Sequence, residues 1–279
     1  MKKKTIPLWA IITVLALLIV GIFYSYNSFY LRKAKVISSY VENFQEYDES
    51  DVKEIILSSI NQKVVIAPSV DDKIRISYFQ KADNMNISTF ENKTIKIDLI
   101  ERVENLDSLL FKTEKKIDVI TIYLPATSTL KLNIKTIYGS LSIKNLTLDS
   151  VVYSCTTGDI IVENVSFKTL TLSANTSNIS LDNILFNKAD VKCVEGAITL
   201  KYPLSLNECK SIINSIYGQL LINGESLFII DEEGQKQQVN YFKSDDQLTY
   251  QYQMNMQLMR GDINIFSNEV VDEESPQQQ

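Results

Sequence analysis

"TTGDIIVEN", residues Thr156–Asn164, is one of three versions of a single pattern. The second, "IYGSLSIKN" (Ile137–Asn145), lies before it in the chain, and the third, "NTSNISLDN" (Asn175–Asn183), lies after it at the same spacing. Each version has a small residue, then apolar residues that alternate with polar ones, and a closing asparagine. Alternation with a period of two is typical of a strand that buries one face. A fixed period of about 20 residues predicts an array of stacked copies.

The small residue of the pattern recurs after these three copies. In the six copies it is Gly139, Gly158, Ser177, Gly196, Gly218 and Gly261, with successive spacings of 19, 19, 19, 22 and 43. A tight turn between two strands favours a residue that can adopt a positive φ. We therefore interpret these positions as structural turns, including Gly261 within the integrin-type tripeptide that begins at Arg260.

Apolar residues occupy two fixed positions after each turn. The first column is Leu141, Ile160, Ile179, Ile198 and Leu220, and the second is Ile143, Val162, Leu181, Leu200 and Ile222. Like residues from successive copies, stacked about 4.8 Å apart, would fill the inside of a β-solenoid. At one corner, Asn145, Asn164 and Asn183 would hydrogen-bond from copy to copy as an asparagine ladder.

The sequence therefore predicts an all-β fold, an elongated parallel β-solenoid or β-helix-like domain with coils of about 19–22 residues. We expect this β-strand repeat domain to cover residues 51–268. The polar residues 269–279 are predicted to be a disordered tail. No coil can be assigned to the polar stretch 231–247.

An apolar segment precedes this domain. Between Lys4 and Arg32 lie 27 uncharged residues, enough to span the roughly 30 Å hydrocarbon core of a bilayer. We predict one transmembrane anchor over residues 6–24, a short cytoplasmic N-terminus over residues 1–5, and a juxtamembrane stalk or helix over residues 25–50. A cleaved signal peptide is the alternative, although no small-residue cleavage site follows the segment. The expected location is the cell membrane, single-pass, with the C-terminal domain extracellular.

Composition argues against several function classes. Histidine, the commonest general base and zinc ligand, is absent. After Lys35, 22 basic and 34 acidic residues give a net charge of −12, which repels nucleic acid. Cys155, Cys193 and Cys209 lack the spacing of a metal or redox site and are interpreted as small buried residues. We expect no catalytic residue, no cofactor, no metal ion and no nucleic-acid partner.

The chain resembles the bacterial putative-adhesin family of β-strand repeat envelope proteins, which includes LiaG-like proteins. The resemblance rests on "SSINQKVVIAPSVDDKIRISY" (Ser58–Tyr78), on "DVITIYLPATSTLKLNIKTIYGSLSI" (Asp118–Ile143) and on the repeated glycine steps. It implies an elongated, membrane-tethered β-repeat domain that is linked to surface adhesion or envelope stress. It implies no catalytic residues.

Three functions follow from these features. We favour a non-enzymatic, membrane-anchored surface protein with a binding, adhesion or structural role, whose partner is an envelope glycan or another membrane or surface protein. The alternative is an accessory sensor or regulator of an envelope-stress system that acts through a membrane partner. The third is a polysaccharide-cleaving β-helix enzyme, which would need acidic and basic residues converging on one groove.

Overall fold

The computed structural model describes residues 8–81, 88–99, 117–230, 236–238, 241–243 and 250–268. One α-helix, α1 (Leu8–Ser38), is followed by strands throughout. The strands are β1 (Tyr40–Asp48), β2 (Glu54–Ser59), β3 (Lys63–Pro68), β4 (Lys73–Lys81), β5 (Ser88–Glu91), β6 (Thr94–Leu99), β7 (Val119–Leu124), β8 (Thr127–Thr136), β9 (Leu141–Thr157), β10 (Ile160–Tyr202), β11 (Cys209–Tyr217), β12 (Leu220–Ile222), β13 (Glu225–Ser226), β14 (Phe228–Ile230), β15 (Lys236–Gln238), β16 (Tyr241–Lys243), β17 (Tyr252–Arg260) and β18 (Ile263–Ser267). The protein is therefore mostly β, with one N-terminal apolar helix, as predicted.

Helix α1 is 31 residues long. Its segment Ile12–Arg32 has a mean hydropathy of 1.8 and buries none of its residues against the rest of the chain. A segment of this length and composition could cross a membrane or could serve as a signal sequence. The predicted N-terminus, residues 1–5, lies outside the described residues.

The segment 25–50, predicted as a stalk or helix, is divided between two elements. Its first part belongs to α1, which ends at Ser38, and strand β1 begins at Tyr40. β1 pairs antiparallel with β4 over its whole length, from Tyr40 opposite Lys81 to Asp48 opposite Lys73. The first strand of the sheet therefore lies within the segment that was assigned to the stalk.

Sixteen of these strands form one curled, mixed sheet, and β14 and β15 form a separate pair. Its centre is parallel, and β9 pairs with β10 at an offset of one repeat, so that Leu141 lies beside Ile160 and Ile143 beside Val162. The same offset continues beyond the bend of each strand, where Val151 pairs with Leu170. Because a side chain and its counterpart in the next copy occupy neighbouring strands, the repeat in the sequence becomes a repeat in space.

The core lies on the inner side of the curl. The two predicted apolar columns are fully buried in one hydrophobic cluster, except for Ile222, which is partly buried against it. Leu141, Ile160 and Ile179 are each at most 1% exposed. Burial of these columns supplies the main driving force for the fold, at about 25 cal/mol for each Å² of apolar surface removed from water.

The copies near the C-terminus are not stacked in sequence order. The last copy, β17 and β18, lies between β10 on one side and β11 with β12 on the other, and is parallel to both. The sequence spacing had placed the copy at Gly218 directly beside the copy at Gly196, and this expectation is wrong. Strands β13 and β16 instead pair antiparallel with β12 and β11 and cover part of the exposed edge.

The N-terminal end has the same arrangement. β2 lies between β6 and β8, and β3 lies between β7 and β9. The first copy in the sequence is therefore an inner copy, like the last one. β1 and β5 pair antiparallel with β4 and β6 at this end. In the stretch 231–247, β15 pairs with β14 and β16 with β11, while residues 231–235, 239–240 and 244–249 lie outside the described residues, as does the predicted tail.

Candidate functional site

The turn residues form a line in which each copy touches the next. A Cβ atom added to Gly158 would lie 2.1 Å from the carbonyl oxygen of Gly139, and one added to Gly196 would lie 1.9 Å from that of Ser177. The added Cβ of Gly261 would meet the carbonyl oxygen of Gly196 at 1.7 Å. These distances are far below van der Waals contact, so the line of turns needs residues without side chains at these positions.

Positive φ explains only part of this glycine pattern. Gly158, Gly196 and Gly261 have φ values of 152°, 139° and 122°, whereas Gly218 lies outside the positive region. A Cβ on Gly218 would nevertheless approach the carbonyl oxygen of Gly261 to 1.8 Å. The close approach of neighbouring copies is therefore the more general reason for glycine.

Ser177 is the exception in the line of turns. Its side chain is 4% exposed, and its hydroxyl has no hydrogen-bond partner within the described part of the chain. A buried hydroxyl without a partner costs stability.

The three corner asparagines combine two properties. Asn145, Asn164 and Asn183 have φ values of 56°, 54° and 51°, a left-handed conformation that asparagine tolerates better than most residues. The Asn164 side-chain amide donates to the Asn145 Oδ1 at 3.2 Å, and the Asn183 amide donates to the Asn164 Oδ1 at 2.8 Å. Each asparagine therefore turns the chain and links its copy to the next.

The amide ladder ends at the fourth copy. The residue in the corresponding position is Tyr202, which is 2% exposed and stacks on Phe186 with ring centroids 5.2 Å apart. In the neighbouring strand Tyr202 pairs with Ser267. Asn183 is thus the last amide of the ladder.

Charged side chains form a second line on the outer face, one residue before each asparagine. Lys144 Nζ lies 2.6 Å from the Glu163 carboxylate, and Lys201 Nζ lies 2.5 Å from the Asp182 carboxylate. Phe266 continues this line, because it pairs with Lys201 in the adjacent strand. Its ring is 47% exposed, an apolar group on an otherwise charged line.

A groove of about 350 Å³ opens beside this phenylalanine. We call it the Phe266 groove; its lining includes Asp182, Asn183, Lys201, Phe266 and Asn268. It combines an exposed aromatic ring with hydrogen-bonding side chains. The sequence did contain a signal for it, since an aromatic residue stands where the copies at Gly139, Gly158, Ser177 and Gly196 have a charged residue.

The predicted small buried cysteines are indeed buried. Cys155, Cys193 and Cys209 are free thiols with exposures of 8%, 5% and 0%. Burial raises the pKa of all three thiols, that of Cys209 to about 11. Such thiols react slowly with electrophiles, because the thiolate is the nucleophile.

Ion pairs and one four-residue ion-pair network lie on the described surface. Within the described ranges, no group of three or more His, Cys, Asp or Glu residues has the arrangement of a metal site. Arg260 and Asp262 flank the turn at Gly261, and the Asp262 carboxylate accepts a hydrogen bond from the Gln219 backbone amide at 2.8 Å. Asp262 therefore links neighbouring turns of the sheet.

These features define a class of protein: a β-strand repeat domain, whose copies stack in register, behind an N-terminal apolar helix. The chain belongs to the toastrack DUF4097 family, whose sequence profile matches residues 52–277. The resemblance to adhesin-like β-strand repeat proteins is confirmed by this match. A comparison with curated proteins finds no match.

Solved structures include several that are similar to this chain. A putative cell adhesion protein from Clostridium sporogenes is 17% identical, with a TM-score of 0.30, covering 82% of this chain and 100% of its own. A putative adhesin from Bacteroides fragilis is 13% identical, with a TM-score of 0.39, covering 81% of this chain and 97% of its own. A putative lipid binding protein from Parabacteroides distasonis is 8% identical, with a TM-score of 0.28, covering 82% of this chain and 97% of its own.

Proposed function

We propose that the protein is a non-enzymatic, membrane-anchored surface protein of the bacterial envelope, whose β-repeat domain binds an envelope component. The observation that carries the proposal is the junction of α1 with the sheet. The apolar segment Ile12–Arg32 of α1 buries none of its residues, α1 ends at Ser38, and the first strand begins at Tyr40. An uncleaved helix of this kind would hold the sheet directly at the membrane surface.

The sheet itself is proposed to be a short β-solenoid over residues 51–268, with β1 as an added edge strand. The one-repeat offset between β9 and β10 supports this description, since it is the offset expected for one turn of a coil. Stacked copies present long outer faces of polar side chains, which suit recognition of an extended partner. The partner is proposed to be an envelope glycan or a surface protein.

Location can be tested by labelling introduced cysteines in intact cells. Val70 is 99% exposed, so we expect Val70→Cys to react with a membrane-impermeant maleimide from outside. The three native thiols are buried and should give little background. Lys3→Cys, which precedes α1, should react only after the membrane is permeabilised. Labelling of Lys3→Cys but not of Val70→Cys in intact cells would contradict the proposed orientation.

Binding can be tested separately. The full chain, embedded in lipid nanodiscs, should co-sediment with isolated cell-wall material, whereas empty nanodiscs should not. Equal sedimentation of loaded and empty nanodiscs would exclude the wall as the binding partner.

A second candidate function, an accessory sensor acting through a membrane partner, is favoured by the same junction. Because a single residue, Ser39, separates α1 from β1, displacement of the sheet would be transmitted to the helix. A six-residue Gly-Ser insertion after Ser39 should uncouple a sensor and leave surface binding unchanged. Unchanged stress signalling in the insertion variant would argue against the sensor.

A further inference from the structure

The Phe266 groove combines two surfaces that ligands of only a few classes can use together. The half-exposed Phe266 ring offers an apolar face. The groove is also lined by the Asp182–Lys201 ion pair and by the amides of Asn183 and Asn268. A few convergent polar groups around an apolar surface are typical of small-molecule sites. A pyranose fits both, because its ring has an apolar C–H face and its hydroxyl groups lie at the rim.

The groove contains both hydrogen-bond acceptors and donors, although the Asn268 side-chain N–H already donates to the Pro203 carbonyl oxygen. The Asp182 carboxylate accepts hydrogen bonds and the Lys201 ammonium donates them. The Asn183 side-chain amide donates a hydrogen bond to Asn164. No described residue donates a hydrogen bond to the Asn183 Oδ1. Because the next position of the ladder is the buried Tyr202, the acceptor side of Asn183 faces the end of the ladder. A sugar hydroxyl could donate to this oxygen in place of a further asparagine.

The charge of the site argues against an anionic ligand. Asp182 and Lys201 neutralise each other at 2.5 Å. The chain after Lys35 carries a net charge of −12, and such a domain repels phosphate-rich or uronic-acid polymers. We infer that the Phe266 groove binds a neutral glycan, with one pyranose ring stacked on Phe266. The inference rests on the proposed function, for which it names the site and the chemical class of ligand.

Calorimetry on the full chain in nanodiscs tests the site with two neutral probes, tetra-N-acetylchitotetraose and cellotetraose. We expect at least one of them to bind, Phe266→Ala to weaken binding at least 10-fold, and Phe266→Trp to retain it. Tyr217→Ala is the matched control, since Tyr217 is a 70% exposed aromatic residue outside the groove; it should bind like the unchanged protein. Circular dichroism of each variant shows whether it is folded.

Fluorescence gives a second, local measurement. Trp9 is the single tryptophan of the chain, so the double variant Trp9→Phe and Phe266→Trp carries its indole in the groove. Its emission should shift when the bound probe covers the indole, and the variant Trp9→Phe with Tyr217→Trp should show no shift.

Three results would overturn the inference: no binding of either probe, equal affinity of folded Phe266→Ala and the unchanged protein, or tighter binding of the anionic hyaluronan tetrasaccharide than of both neutral probes. Each would leave the labelling of Val70→Cys unaffected. Failure of the glycan site is therefore distinguishable from failure of the proposed membrane location.

Discussion

Two physical constraints favour glycine at the turns: the close approach of a neighbouring copy and a positive φ. Gly218 and Gly224 each show one of these constraints without the other. Gly218 lacks a positive φ, but an added Cβ would lie 1.8 Å from the Gly261 carbonyl oxygen. Gly224 has a φ of 85° and no atom within 4 Å of an added Cβ. The first position reports the close approach of two copies, and the second reports backbone conformation alone.

Replacing each glycine by alanine should therefore have unequal effects. We expect Gly218→Ala to lower the free energy of unfolding by about 3 kcal/mol, because the two copies must move apart. Gly224→Ala should cost only about 1 kcal/mol, the cost of the left-handed conformation. Chemical denaturation of the two variants measures both values. Equal losses would show that the approach of Gly218 to Gly261 is not a tight constraint.

At Asn164, two substitutions distinguish the contribution of the ladder hydrogen bonds from that of the left-handed backbone conformation. Asn164→Gly keeps the left-handed corner and removes both ladder hydrogen bonds, and we expect a loss of about 1 kcal/mol. Asn164→Leu removes the bonds and also places a branched side chain at a φ of 54°, for a total of about 2–3 kcal/mol. Thermal unfolding compares the variants. Unchanged melting temperatures in both would mean that the ladder contributes nothing.

At the level of residues, the sequence predicted the positions but not all of the reasons. Glycine at the turns was expected because of positive φ, which holds for Gly158 but not for Gly218. Close approach depends on a neighbouring copy, and the neighbour of Gly218 is Gly261, which belongs to a copy much later in the chain. The left-handed φ of the ladder asparagines was also missed, although asparagine is a known signal for such a corner.

At the scale of elements, β1 is the strand that connects the sheet to α1. An ion-pair network fixes it against β4: the Glu46 carboxylate lies 2.5 Å from Lys73 Nζ and 2.9 Å from Arg75 Nε. Arg75 also binds the Asp71 carboxylate at 2.6 Å. Hydrogen bonds from Lys73 and then Arg75 lower the pKa of Glu46, and the hydrogen bond from Arg75 lowers the pKa of Asp71.

These lowered pKa values predict the pH dependence of the β1–β4 pairing. A carboxyl group whose pKa is lower in the folded state contributes stability above its ordinary pKa, and the contribution disappears as the pH falls through the folded value. We therefore expect β1 to lose protection in hydrogen exchange, corrected for intrinsic rates, as the pH falls from 6 to about 3. Strand β9, far from these carboxylates, should lose less.

The Glu46→Gln variant is the control for this pH effect. It removes one of the two titrating groups, so the protection of β1 should change less with pH than in the unchanged protein. The same pH dependence in both proteins would show that the Glu46 contacts with Lys73 and Arg75 do not hold the strand.

The sequence did not reveal β1 because its partner is distant. The apolar residues from Val36 to Phe44 have helix-like spacing, and α1 does extend to Ser38. Beyond that point, pairing with β4, which follows β2 and β3 in the chain, decides the conformation. The local pattern of apolar residues carries no information about a pairing strand that is distant in the sequence. The repeated strands of the centre were predictable because their partners are copies of themselves.

At the scale of the whole molecule, the order of the copies is the feature that the sequence did not predict. Equal copies can stack in any order that their connections permit, since each presents the same backbone edges to its neighbours. The chain places its first and last copies inside the stack and covers both ends with antiparallel strands. Covered ends protect the edges from pairing with other chains.

The stacking of copies at the C-terminal end is the most direct test of the account, and engineered disulfides can measure it. Asn264 pairs with Thr199 on one side and with Leu221 on the other. Thr199 and Leu221 are therefore two strands apart, about 9.6 Å by the usual strand spacing, beyond the roughly 7 Å limit for a disulfide. We expect that Thr199→Cys with Asn264→Cys forms a disulfide under mild oxidation, and that Thr199→Cys with Leu221→Cys does not. A disulfide in the second pair and none in the first would show that the copies stack in sequence order, and would contradict the account.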